Sequence, residues 1–569
     1  MVNVDARLRA LMRTLHQTFG LKRLRPGQAR IMRSVMARRD TLAIMPTGAG
    51  KSLCYQLPAL HLEGITLVVS PLIALMKDQA DKLAKAGVPT TVVNSSLSQR
   101  EERAALEGIA AKKSAIVFVT PERLAKPAFR KLFTHSKQLP VSLVVIDEAH
   151  CISQWGHDFR PAFLEIADAI DALGRPPTLA LTATATPEVI DDIVHALHLQ
   201  NPEIVVTDLF RDNLRYQVRQ VTNDEEKLAA LMQAINHNQG AGIIYAATIK
   251  DVEQVYHALA NAEHAVRMYH GRMAAAARRE AQDEFMSGSC RLMVATNAFG
   301  MGIDKADIRL VVHYQFPGSL EAYYQESGRA GRDGEASECL LLFDQRDRRV
   351  QQFFQMGRYP TLELADQIHR MLASSSVALD FDSLHDQLPE IGANKLHVSL
   401  KMMLDEKIVA RNRAGAYRLG KKVATEDSLA AAVARYQAFA EHDKLALESM
   451  ISYAQTARCR WRTILDYFKD SSAIERCGVC DNCKHPPKVD SIVIKDFAAL
   501  VAASKFVEGM PVKVKRFGEG EVISASAAEV EIRFADGKTR TFLPSAVKNV
   551  RRAVAPSSRA LTRLVRNSH

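Results

Sequence analysis

Thr41-Leu42-Ala43-Ile44-Met45-Pro46-Thr47-Gly48-Ala49-Gly50-Lys51-Ser52 joins an apolar run to a glycine-rich loop that ends in Lys-Ser. Glycines let backbone N–H groups curl around phosphate oxygens, and a helix beginning just after the loop adds a favourable dipole. In such a loop Lys51 reaches the β- and γ-phosphates of a nucleotide and Ser52 offers its hydroxyl to Mg²⁺. Met45 stands where the strict form of the motif has glycine, so Thr47, Gly48 and Gly50 form the turn in a looser version. A chance Gly-Lys-Ser is common. The strand before it and the helix after it set this one apart.

About 95 residues on, Val144-Val145-Ile146-Asp147-Glu148-Ala149-His150 ends a buried strand in two carboxylates. Asp147 suits Mg²⁺, and Glu148 suits the general base that positions a water in line with the γ-phosphate. A third segment is Gln325-Glu326-Ser327-Gly328-Arg329-Ala330-Gly331-Arg332-Asp333-Gly334. Its two arginines, three apart, fit a pair reaching the γ-phosphate from a neighbouring domain, where a guanidinium stabilises transition-state charge. Around these segments, up to about residue 345, short β-branched runs alternate with amphipathic stretches. They include Thr66–Ser70, Thr91–Val93, Ala115–Thr120, Leu143–Asp147, Thr178–Thr182, Gly242–Tyr245, Arg291–Ala295 and Leu310–Tyr314. Alternation with continuously apolar strands predicts an α/β fold of two parallel sheets covered on both faces, joined near Thr207–Tyr216.

The whole chain has 569 residues, 47% hydrophobic and 24% charged, with a net charge of +11. That length suits about three to five domains, and the composition excludes a collagen-like or wholly disordered chain. No window has the roughly 18 to 20 consecutive apolar residues of a membrane span, and Met1–Leu15 lacks the apolar core of a secretory signal. The expectation is a soluble, monomeric, cytoplasmic and nucleoid-associated protein. Residues 501–569 hold thirteen Lys/Arg against six Asp/Glu, a surplus of seven out of the overall eleven. An uneven basic surplus fits a polyanion partner or plain surface solvation.

After Arg348 three short helices (Leu362–Leu372, Asp382–Leu388, Asn394–Leu404) and a hairpin turning at Asn412–Gly415 predict a winged helix, or a helical spacer with a β-arm. Cys459, Cys477, Cys480 and Cys483 form C-x17-C-x2-C-x2-C, with Cys459 on a predicted helix Ala457–Phe468. Four thiolates so spaced suit a closed structural Zn²⁺ site, although x2 spacings also serve iron–sulfur clusters. Beyond them Pro511–Lys515, Glu519–Ile523, Glu529–Phe534 and Thr539–Leu543 predict a small bent barrel. The expected domains are two parallel-sheet α/β domains at 1–208 and 209–347, a winged helix at 348–425 and a zinc-binding helical subdomain at 426–490. A barrel at 491–552 and a basic tail at 553–569 complete the set.

Taken in order, these segments resemble superfamily 2 DNA helicases of the RecQ family. Asp147-Glu148-Ala149-His150 is a DEAH box, and its continuation Cys151-Ile152-Ser153-Gln154-Trp155-Gly156-His157-Asp158-Phe159-Arg160-Pro161 is similar to that family's aromatic-rich loop. Further matches are Phe19-Gly20 with Arg25-Pro26-Gly27-Gln28, Ser70-Pro71-Leu72, Thr120-Pro121-Glu122-Arg123, Thr182-Ala183-Thr184-Ala185, and Ala295-Thr296 with Ala298-Phe299-Gly300-Met301-Gly302-Ile303-Asp304. The resemblance implies that the two parallel-sheet domains are RecA-like motor domains, that Gln28 and Arg25 read the adenine of ATP and that Asp304 lies near the nucleotide. It also implies that Gln325 approaches the γ-phosphate, with Arg332 as the finger and Arg329 its companion. Trp155, Phe159 and Arg160 would stack on unpaired bases, the plainer reading being core aromatics, and His150 with Glu148 would couple DNA contact to hydrolysis. Arg123 and Thr184 would touch DNA phosphates or link the sites.

The cysteine segment resembles the RecQ zinc-binding subdomain. In familiar bacterial members a winged helix follows that subdomain, whereas here the candidate precedes it. The terminal barrel resembles the Tudor/SH3-like module of UvrD-type helicases. That implies a protein partner, such as RNA polymerase or a single-strand-binding protein, through the barrel or tail. The function implied is ATP-dependent unwinding of DNA, 3′ to 5′, in repair or recombination, acting on single strands and single/double-strand junctions. Two rivals stay open: an RNA-directed DExH helicase, and a zinc-containing DNA-binding ATPase that remodels complexes without unwinding.

Overall fold

The structure is a computed structural model. It describes residues 2–94, 97–111, 113–134, 140–153, 163, 165–300, 303, 305–356, 359–412, 415–420, 425–470, 472–486, 506, 509–514, 517–525, 530–542 and 547–549. They fall in two compact units, 1–486 and 487–569.

The first lobe is a seven-stranded parallel sheet: β1 Thr41–Ile44, β2 Ile65–Val69, β3 Thr90–Val93, β4 Ile116–Val119, β5 Val141–Ile146, β6 Thr178–Thr182 and β7 Glu203–Val206, in the order β3-β4-β2-β5-β6-β1-β7. Successive side chains point to opposite faces of a strand. Leu42, Ile44, Val144 and Ile146 therefore enter one core layer, while Ala43, Met45, Leu143 and Val145 enter the other. Burial on both faces explains why these strands read as unbroken apolar runs.

The second lobe is a six-stranded parallel sheet: β8 Leu214–Gln220, β9 Ala241–Tyr245, β10 Val266–Tyr269, β11 Leu292–Ala295, β12 Ile308–His313 and β13 Ser337–Phe343, ordered β10-β11-β9-β12-β13-β8. Four strands of the two parallel sheets, β7, β8, β10 and β13, go beyond the sequence expectation. β7 and β8 are edge strands with several half-exposed positions, which breaks the apolar run. Because β8 begins at Leu214, the join between lobes is shorter than Thr207–Tyr216.

A buried ion pair ties the helix Asp224–His237 to the turn after β13: Lys227 Nζ donates to Asp347 Oδ2 at 2.8 Å and Oδ1 at 3.1 Å. Burial pushes the Asp347 carboxyl up to about 6 despite the Lys227 ammonium. Since that lies above the unfolded value, the folded chain holds the proton more tightly. This group's contribution to stability therefore declines as pH rises from about 4 to about 6. Lys227→Met strands the carboxylate and should cost about 3–5 kcal/mol in urea unfolding at pH 8. The loss should be smaller at pH 5, and most of it should return in the double variant Lys227→Met/Asp347→Leu.

Next come the helices Arg348–Met356, Leu362–Ser374, Phe381–Asp386 and Ala393–Asp405, then a hairpin of β14 Val409–Arg411 and β15 Tyr417–Leu419. Leu379 adds an antiparallel bridge to Tyr417. The long helix Glu426–Gln455 leads into the helix Arg460–Tyr467. Cys459 is the N-cap residue of that second helix and not within a helix starting at Ala457. Trp461 and Phe468 sink into the core of the second lobe, and Trp461 Nε1 donates to the Leu214 carbonyl at 3.1 Å. The second unit holds five antiparallel strands, β16 Pro511–Val514, β17 Gly518–Ala525, β18 Val530–Phe534, β19 Thr539–Phe542 and β20 Val547–Asn549, ordered β19-β18-β17-β16-β20. The predicted tail lies outside the described residues. No described helix is long and apolar enough to cross a membrane.

Candidate nucleotide site and metal centre

β5, β6 and β1 are neighbours, so their carboxyl ends bring three loops side by side: Asp147–His150, Thr182–Thr184 and Pro46–Ser52. Gly48 and Gly50 take φ of +85° and +81°, left-handed values open to glycine. A Cβ on Gly50 would also stand 2.7 Å from Gln28 Nε2. Gln28 is buried behind the loop, where its amide donates to the carbonyls of Gly50 (2.9 Å) and Ala49 (3.2 Å) and accepts from the Arg25 N–H at 2.8 Å. Arg25 Nη1 donates to the Gly48 carbonyl. Both residues expected at the adenine are thus bonded to the phosphate loop itself.

Lys51 Nζ lies 3.5 Å from the Met45 carbonyl. Burial and the adjacent Glu148 carboxylate push Asp147 up to about 7, against the pull of Lys51. Ser52 Oγ accepts from Gln79 Nε2 at 2.6 Å, while Gln79 Oε1 accepts from Tyr55 Oη (3.2 Å) and Gln56 Nε2 (2.6 Å). Gln79 stands on the helix Ile73–Lys85 that follows Ser70-Pro71-Leu72. Spacing along the chain carried no sign of this link.

Glu148 has φ +52°, a costly value for a residue with a Cβ. That twist leaves its Oε2 3.4 Å from His150 Nδ1, which in turn lies 2.9 Å from Thr182 Oγ1. Thr182 Oγ1 donates to the Thr184 carbonyl at 3.0 Å. A relay of short contacts therefore runs from the DEAH carboxylate to the end of β6. Thr184 is itself buried, and Arg123 is paired with Glu102. Trp155, Phe159, Arg160 and Asp304 lie outside the described residues.

From the second lobe, the turn after the helix Leu320–Ser327 closes on the phosphate loop. A Cβ on Gly48 would stand 3.4 Å from Arg332 Cγ, and one on Gly328 would stand 3.4 Å from Thr47 Cβ. Arg329 is buried and donates to the Gly300 carbonyl. Arg332 is the arginine beside the loop. Arg211, in the join between lobes, holds this turn by donating to the carbonyls of Gly328 and Ala330 (2.8 Å each) and Gly331 (2.5 Å). Asn213 adds bonds to Gly331 and Glu335. Neither residue lies in the motif segments quoted from the sequence. Gln325 and Arg329 both line a cavity of about 800 Å³ between the second lobe and the helix Glu426–Gln455.

The four clustered cysteines offer sulfur atoms all within 4.8 Å of one another, with Cys477–Cys483 at 3.9 Å and Cys459–Cys480 at 4.0 Å. A tetrahedron with Zn–S near 2.3 Å needs S···S separations of about 3.8 Å, so four thiolates here fit a closed structural Zn²⁺. Asp481, between Cys480 and Cys483, bonds both Arg460 (3.0 Å) and the Val218 N–H (2.9 Å), tying the cluster to β8.

A phosphate loop on one parallel sheet and an arginine turn on the next make this a two-lobed phosphate-loop protein. The chain matches the DEAD/DEAH box helicase family over residues 25–193, the helicase conserved C-terminal domain over 226–334 and the RecQ zinc-binding domain over 421–484. It is 47% identical to an ATP-dependent DNA helicase RecQ of Bacillus subtilis over 59% of this chain and 56% of the relative. It is 39% identical to the probable ATP-dependent DNA helicase RecS of the same organism (69% and 79%) and 34% identical to an ATP-dependent DNA helicase RecQ of Synechocystis (83% and 98%). It spans about half the length of some RecQ relatives, 56% for the first and 52% for that of Pasteurella multocida. The fold is shared with Mycobacterium smegmatis helicase Lhr bound to ssDNA and AMP-PNP (TM-score 0.50, 21% identical, 74% of this chain and 61% of that one). It is shared too with Saccharomyces cerevisiae Dbp5 bound to RNA and ADP BeF3 (0.50, 17%, 61% and 90%). The chain belongs to the RecQ family of ATP-dependent DNA helicases.

Proposed function

We propose that this protein hydrolyses ATP to move 3′ to 5′ along one DNA strand and separate duplex DNA, acting in repair or recombination. The observation that carries the reading is the approach of Arg332 to Gly48, which brings two lobes together over one phosphate site. Lys51 binds the β/γ-phosphates, Ser52 and Asp147 hold Mg²⁺, and Glu148 aligns the attacking water. Arg332 stabilises the transferring phosphoryl group, Arg329 braces the turn, and Gln325 reaches the γ-phosphate only by leaving the second-lobe cavity that it lines here. Mg²⁺, when bound, neutralises charge shared by the β- and γ-oxygens. Closing the lobes on ATP and releasing them after hydrolysis advances the strand stepwise. The His150–Thr182–Thr184 contacts connect the water-aligning carboxylate to the strand-facing side, with Arg123 and the segment of Trp155, Phe159 and Arg160 as DNA contacts. Asp304, Gln28 and Arg25 serve the nucleotide.

We assign residues 1–208 and 209–347 to the lobes, 348–425 to a winged helix, 426–490 to the zinc module, and 491–552 to a partner-binding barrel followed by a basic tail. The chain acts as a monomer beside the nucleoid. The test is strand displacement with ATP on duplexes carrying a 3′ or a 5′ single-stranded tail. Displacement should occur on the 3′-tailed duplex and not on the 5′-tailed one. Activity on neither, with DNA-stimulated hydrolysis intact, would leave a remodelling ATPase in its place.

A further inference from the structure

Phe353 and Phe354 are 68% and 46% exposed, with ring centroids 6.2 Å apart. They stand on the helix Arg348–Met356, whose other face is bolted down: Gln351 Nε2 donates to the Phe316 carbonyl (2.7 Å), Gln355 Nε2 donates to the Asp443 carbonyl (2.9 Å), and Arg348 pairs with Glu448. The rings are therefore held on a rigid support while remaining open to water. Phe354 lines the cavity of about 800 Å³ at the carboxyl edge of the second sheet. Thr296, Asn297 and Arg272 line the same cavity.

The acids in its wall are engaged internally. Glu326 lies 2.9 Å from His313 Nε2, Glu321 accepts from Tyr467 Oη at 2.5 Å, and Asp443 accepts from Tyr359 Oη at 2.5 Å. Arg272 has no carboxylate within ion-pair distance among the described residues. Donors suited to a phosphate backbone beside two flat apolar faces are the combination that binds unpaired nucleic acid with little regard to sequence.

We propose that Phe353 and Phe354 form a stacking platform for unpaired bases of a DNA strand whose backbone lies in this cavity. The inference rests on the reading of the protein as a DNA motor and adds to it a base-contacting element outside the motor motifs. A ring is essential to stacking, whereas an apolar protein contact accepts leucine. The test measures oligothymidylate affinity at fixed salt for the full chain. F353L/F354L should bind about tenfold more weakly than wild type, while F353Y/F354Y should keep wild-type affinity. With an oligomer bearing abasic sites along its length, all three proteins should bind alike. Full affinity in the leucine variant, or equal losses in both variants, overturns the platform. A wild-type protein that binds no single-stranded DNA overturns the motor reading itself, a separate and distinguishable result.

Discussion

Lys51→Ala lowers DNA-stimulated ATP hydrolysis by about 10²- to 10³-fold and ends strand displacement, while the thermal midpoint stays near wild type. The chemical effect is large because the loop offers the nucleotide mostly backbone N–H groups, each a partial charge, and one full positive charge. Removing a preorganised donor from a developing-charge site costs about 3–4 kcal/mol of transition-state stabilisation. The structural effect is small, because the Lys51 ammonium's hydrogen-bond contact is a marginal 3.5 Å approach to the Met45 carbonyl. The turn itself is held by Gln28 and Arg25 from behind. Steady-state phosphate release at saturating single-stranded DNA, alongside a melting curve, checks both halves. Hydrolysis at the wild-type level would remove Lys51 from the chemistry and with it the assignment of this loop.

The parts of the molecule that hold Lys51 in place are legible in the sequence to different degrees. A phosphate loop must be read off a short segment, since its glycines, lysine and serine act within one turn. The DEAH pair is legible for the same reason, as it caps one apolar strand. Arg211 is not legible. It donates to the carbonyls of Gly328, Ala330 and Gly331, and a backbone acceptor leaves no trace in side-chain identity. Gln79 is similar, since its bond to Ser52 depends on how the helix Ile73–Lys85 lies against the loop. The edge strands failed for another reason: Leu214–Gln220 pairs on one side only, so arginines and glutamines interrupt the apolar pattern that marks the central strands. The expectation that Gln28 meets adenine came from resemblance. The loop carbonyls now hold its amide, so an adenine contact at Gln28 must exchange with those bonds, linking base occupancy to loop shape.

The zinc cluster is the second place where a large effect is expected, and its placement sets the size. Cys459 and Cys480 share one continuous apolar core with Trp461, Tyr216 and Tyr324 of the second lobe. Trp461 packs edge-on against Phe210 and Tyr216 at 5.1 and 5.0 Å between centroids. A structural zinc contributes on the order of 10 kcal/mol where little else holds a small domain together. Here the core retains part of the stability, so chelation should loosen the second lobe without unfolding the first. Purified protein should carry one zinc per chain. Strong chelator, or Cys480→Ser, should lower the melting temperature of a second-lobe transition by 10 °C or more, on the order of several kcal/mol. Tryptophan emission should shift to the red as Trp461 meets water. Because Arg211 and Asn213 lead from β8 to the arginine turn, hydrolysis should fall along with the lobe, although the four clustered cysteines lie outside the phosphate loop. Nucleotide affinity measured with the first-lobe loop should fall less than turnover, since Lys51 and Ser52 remain in place. A melting curve and emission spectrum unchanged by zinc loss would mean that the four thiols cross-link nothing the fold depends on.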